Sequence, residues 1–105
     1  MQKEHETAHA LPERIMCAAT HFNDRKQHRH QPINVNMGYV ICGHRHHNCL
    51  YTNAIIGGEK YPDMVQGFLT TKNRFLDREE ALQLARTYLS CLPERKTALY
   101  SEDLW

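Results

Sequence analysis

Gln66-Gly67-Phe68-Leu69-Thr70-Thr71-Lys72-Asn73-Arg74-Phe75-Leu76-Asp77-Arg78-Glu79-Glu80-Ala81 is the stretch that decides the fold. Two short arms, residues 65–70 and 74–76, flank Thr71-Lys72-Asn73. Asparagine tolerates the left-handed backbone of a tight turn, so the pattern predicts a hairpin. Asp77 then stands where a helix N-cap belongs, since its carboxylate can accept from the free N–H groups of a first turn. Glu80 occupies the partner position of a capping box. Ala81, Leu84, Ala85 and Tyr88 recur at helical spacing, with Leu82 and Leu89 widening the stripe. Pro93 is the expected stop.

Upstream, Val35, Met37, Tyr39 and Ile41 alternate with a second face over residues 35–42 and predict the main strand, which Gly43 breaks. From His46 to Ile56 the spacing becomes helical, with Cys49, Asn53 and Ile56 on one row and Leu50 and Ala54 beside it. Gly57-Gly58 supplies a stop, because glycine accepts the left-handed C-terminal conformation. Residues 14–21 predict a first strand. Residues 23–32 are polar throughout and read as an exposed loop or long hairpin connection, with a binding role as the alternative. A flexible arm is expected over residues 1–12 and a loop around Pro62 over residues 59–63. The apolar tail residues Leu99, Leu104 and Trp105 are expected to pack. The order implies a single α+β domain over residues 1–105, with a small antiparallel β-sheet and two main α-helices.

The chain has 105 residues, with 13 basic and 12 acidic side chains and a formal net charge of +1. That balance argues against a broad basic face for a nucleic-acid polymer. Histidine is in excess, at eight residues, and would make the chain cationic below pH ~6.5. A hydrophobic fraction of 41% gives a thin core for a chain this short. A partner subunit, a metal or disulfides would compensate. The N-terminal residues carry no apolar leader and no segment is long enough to span a membrane, so a cytosolic location with no membrane partner is expected. In that compartment the four cysteines, Cys17, Cys42, Cys49 and Cys91, are expected to be reduced.

Two chemistries fit the segment Cys42-Gly43-His44-Arg45-His46-His47-Asn48-Cys49. Thiolates and imidazoles are zinc ligands, but no pair has the usual close cysteine spacing. Alternatively, the segment joins a strand to a helix N-terminus, where unpaired N–H groups and the helix dipole attract an anion. Arg45 adds a planar fork suited to phosphate, and His46 and His47 add further donors. Phe68 or Phe75 can stack on a base with Arg74 or Arg78 near a phosphate, or both rings can be core. Asp77 serves first as a cap. A Cys49–His46 nucleophile pair is the sole sign of catalysis, and no P-loop or G-x-S-x-G occurs.

These strings, together with Leu99-Tyr100-Ser101-Glu102-Asp103-Leu104-Trp105, resemble a phage and prophage family over residues 36–105, identified as the first class of Thoeris anti-defence proteins. The resemblance implies a non-enzymatic sponge, without a cofactor or metal, for cyclic ADP-ribose isomers and in some members cyclic oligonucleotides. It implies a homo-oligomer of dimers that can reach a hexamer, acting in the host bacterial cytoplasm. The ligand-binding positions it implies are Arg45, His46, Phe68, Arg74 and Asp77, with Arg45 and Arg95 as cations for a second site on a symmetry axis. The histidine-rich loop 21–30 departs from the family pattern. Asp77 also departs from it, and would face a ribose hydroxyl or only cap its helix. The alternatives are a small zinc-stabilised protein-interaction module and a hydrolase of the same nucleotides.

Overall fold

A computed structural model describes residues 11–58 and 63–105. The expected arm lies outside the described residues except for Leu11 and Pro12, and so does the expected loop around Pro62 except for Asp63. Four strands, β1 (Ile15–Phe22), β2 (Tyr39–Gly43), β3 (Val65–Thr70) and β4 (Phe75–Asp77), form one sheet in the order β2-β1-β3-β4. Every neighbouring pair is antiparallel. Helix α1 (His46–Ile55) follows β2, helix α2 (Arg78–Arg86) follows β4, and a short 3-10 turn spans Ser101–Asp103. The fold is thus α+β, as expected.

The deciding hairpin forms with Asn73 at φ +58°, the left-handed value its turn needs. Asp77 accepts from the Glu80 N–H at 2.8 Å, and the Glu80 carboxylate accepts from the Asp77 N–H at 3.0 Å, closing the capping box. Gly57 ends α1 at φ +82°. Side chains of Ala18, Phe68, Leu76, Ala81, Leu82, Ala85 and Leu99 make the core between sheet and α2. On the same sheet face Cys49 of α1 packs over Ala18, its sulfur 3.9 Å from the Ala18 carbonyl. Leu99 is fully buried and its N–H donates to the Arg78 carbonyl, so the tail docks on the start of α2.

Two boundaries differ from expectation. The main strand begins at Tyr39, four residues later than its alternation suggests. Gly38 adopts φ +84° and donates to the Lys26 carbonyl at 2.7 Å, so residues 35–38 turn before the strand starts. Helix α2 ends at Arg86, well before Pro93. Thr87 bonds back to the Leu84 carbonyl at 2.6 Å, and Tyr88 is drawn to the sheet, where its hydroxyl accepts from the Ile15 N–H at 2.9 Å.

The polar connection between β1 and β2 protects the sheet. The Asn34 amide bonds both backbone groups of Phe75, at 2.7 and 2.8 Å, along the outer edge of β4. Gln31 accepts from the Val40 N–H at 2.8 Å on the other edge strand. Occupied edges resist pairing with another sheet.

Glu13 anchors the start of β1 to the hairpin. Arg74 donates to it twice, at 2.7 and 2.8 Å, and the Thr70 hydroxyl donates at 2.5 Å. The Arg74 bonds hold the carboxyl well down, from 4.5 to about 2; burial opposes this shift and Thr70 assists it. A depressed carboxyl stabilises the fold above its unfolded pKa and loses that contribution as pH falls from 4.5 toward 2. Arg74 is partly exposed, so solvent screening reduces the effect to about 1–2 kcal/mol. Denaturant titrations at pH 6 and pH 3 should show this loss in the parent chain and a smaller one in Glu13→Gln.

Candidate functional site

The junction between β2 and α1 places the arginine–histidine segment beside the tail. Arg45 is the N-cap of α1, and its own N–H donates to the Asn48 side chain at 2.9 Å. Its guanidinium donates through Nη2 to the main-chain oxygen of Trp105 and lies 3.8 Å from the Glu102 carboxylate through Nη1. The cation thus already holds oxygen ligands supplied by the tail. The His44 ring lies 5.8 Å from the Trp105 ring. Met16, Cys17, Gly43, His44 and Trp105 line a cavity of about 160 Å³.

Beneath this surface lies His46, which is buried and structural. Its Nε2 is 2.7 Å from the Gly67 carbonyl, and its Nδ1 is 3.3 Å from Arg78 Nη2. A neutral ring that donates through Nε2 and accepts through Nδ1 satisfies both contacts. Burial lowers its pKa and Arg78 acts in the same direction, against the Gly67 bond and Glu102. The ring meets Phe68 edge-on at 5.2 Å, and Trp105 covers Phe68 from 6.3 Å. Phe68 is 0% exposed, so its ring belongs to the core and Trp105 offers the accessible aromatic surface beside it.

The other expected site residues separate from this group. Arg74 is held by Glu13, at the far end of the hairpin. Asp77 caps α2, the more modest of the two roles open to it. Arg78, named only as an alternative to Arg74, is the arginine that reaches His46, and its guanidinium also lies 4.6 Å from the Tyr100 ring centre. Its Nε is buried without a hydrogen-bond partner. Arg95 is exposed between α2 and the tail and joins none of these contacts. His44 belongs to the arginine–histidine segment expected to serve an anion, whereas Trp105 is the site residue that spacing did not single out, its signal being an apolar tail expected to pack.

The Cys49–His46 pair does not form, because both imidazole nitrogens are engaged elsewhere. The Cys49 sulfur points to the Ala18 and Arg45 carbonyls, and burial pushes its thiol up. All four cysteines are free thiols. Among the described residues, no three His, Cys, Asp or Glu side chains converge to hold a metal ion. No helix among them is long and apolar enough to cross a membrane.

Fold and site together describe a small α+β domain with a cation and an indole-bearing tail at a helix start. The family profile of the phage T4 y16D protein matches residues 14–105, so the chain belongs to that phage protein family. No curated protein and no solved structure matches it.

Proposed function

We propose that this phage protein is a sponge that binds a cyclic nucleotide immune signal in the host bacterial cytoplasm and sequesters it without cleavage. The signal is a cyclic ADP-ribose isomer, with cyclic oligonucleotides as a second class. The observation that carries this reading is the convergence of Arg45, His44 and Trp105 at the start of α1. A permanent cation, an aromatic surface and the first N–H groups of a helix suit the phosphates and base of one compact ligand. The tail oxygens now on Arg45 stand in for phosphate oxygens, and a ligand would take their place.

The cavity size favours an assembly. About 160 Å³ accommodates one ring, whereas pockets that enclose a whole ligand of this class run from roughly 300 Å³ upward. A second copy would supply the remaining wall. Tyr51 and Ile55, one turn apart on α1 and 68% and 65% exposed, provide apolar surface for such a contact. Homo-oligomerisation, as dimers that build a hexamer, is therefore part of the proposal.

Calorimetric titration with a cyclic ADP-ribose isomer tests the assignment. Arg45→Ala should weaken binding by about 1.5–3 kcal/mol, roughly 10- to 150-fold, the range for a charged hydrogen bond. Trp105, the one tryptophan of the chain, should change its fluorescence on binding. Unchanged affinity in a folded Arg45→Ala protein would remove Arg45 from the site.

A further inference from the structure

The cluster whose chemistry the nucleotide reading leaves unused is a pair of thiols where β1 and β2 begin to part. Ala19 pairs with Cys42 across the two strands. Side chains alternate along a strand, so Cys17, two residues before Ala19, shares the sheet face of Cys42. The last registered pair between these strands is Ala18 with Gly43, and Cys17 lies just past it. On the β3 side the register shifts between Ile15 and Cys17, so the ladder is irregular there too. Cys42 is exposed, Cys17 is half-buried, and both are free. The two thiols stand close enough to perturb each other's acidity.

We propose that Cys17 and Cys42 form a peroxide-sensitive dithiol that closes into a cross-strand disulfide. The Cys42 thiolate attacks one oxygen of a hydroperoxide and the O–O bond breaks. Cys42 becomes a sulfenic acid, and the other oxygen leaves and takes up a proton. Cys17 sulfur then attacks the sulfenic sulfur, an S–S bond forms, and the sulfenic oxygen leaves as water with the Cys17 proton. Two thiols are oxidised by two electrons in all, and hydrogen peroxide is reduced to two waters.

The order of attack follows from the environments. The interaction with Cys17 brings the Cys42 thiol down from 9.0 to about 7, against burial, and the same interaction together with burial raises Cys17. An accessible, more acidic thiol beside a second thiol is the arrangement of redox-sensing pairs. Cys49 is buried, with its thiol pushed up, and is not exposed to a solvent oxidant. Cys17 stands diagonally from Cys42, two residues from the position directly opposite it, so closing a bond of about 2.05 Å needs a backbone shift. The irregular end of β1 provides one.

Reduced wild-type protein is treated with hydrogen peroxide, alkylated, digested without reductant and mapped by mass spectrometry. The expected result is a Cys17–Cys42 linked peptide lighter by two hydrogens, with Cys49 and Cys91 alkylated and the link reversed by dithiothreitol. Cys17→Ser should stop at a sulfenic acid on Cys42 that dimedone traps. Recovery of Cys17 and Cys42 as alkylated thiols under conditions that oxidise the exposed Cys91 would overturn the proposal, as would links between other cysteines. The wild-type map needs no variant to fold.

Discussion

Gly67→Ala is expected to destabilise the domain by about 3 kcal/mol or more, beyond the ordinary range for an overpacked core position. A Cβ at residue 67 would overlap the Leu76 carbonyl and stand 2.9 Å from Asp77 Cα. The obstacle is backbone, so no rotamer change relieves it. Strands β3 and β4 would have to separate, and only three residue pairs join them, Gly67 with Asp77, Phe68 with Leu76 and Leu69 with Phe75. Separation would also disturb the Asp77 cap of α2 and move the Gly67 carbonyl away from His46. Denaturant unfolding followed by circular dichroism measures the loss. A midpoint close to that of the parent would show that the hairpin can spread at little cost.

Phe68→Ala should cost about 3–5 kcal/mol. The ring is fully buried between Ala18, Leu76 and α2, and it also supports His46 and Trp105. Small domains hold only roughly 5–15 kcal/mol in total, so this one truncation should bring the fold near its limit. Phe68→Leu keeps most of the volume and should cost about 1.5 kcal/mol or less. If the two variants unfold at the same denaturant concentration, the cavity at residue 68 is not the cause. The leucine variant also separates stability from binding. It removes the aromatic face yet keeps the core, so a buried Phe68 predicts near-normal ligand affinity.

The parts of the fold legible in the sequence are those fixed by neighbours. The 65–77 hairpin, the Asp77–Glu80 capping box and the Gly57 stop each depend on residues a few positions apart. Tertiary bonds fixed the rest. The late start of β2 depends on the Lys26 carbonyl, and the early end of α2 on a tyrosine drawn to Ile15. No local pattern couples Glu13 to Arg74 or His46 to Gly67. The same limit governs the site. Arg45 was recognisable as a cation at a strand-to-helix junction, and it does occupy the N-cap position of α1. Its contact with the tail was not, because that contact joins residues 60 positions apart. His46 and Phe68 carry residue types suited to a ligand, but their positions are buried, and the core uses them.

The most direct test is to expose the purified protein to lysate from cells with an activated cyclic-nucleotide defence, wash it, denature it by heat and identify the released small molecules by mass spectrometry. A non-cleaving sponge predicts an intact cyclic nucleotide from the parent protein and far less from Arg45→Ala. Release of only linear cleavage products, or of no nucleotide at all, would contradict it.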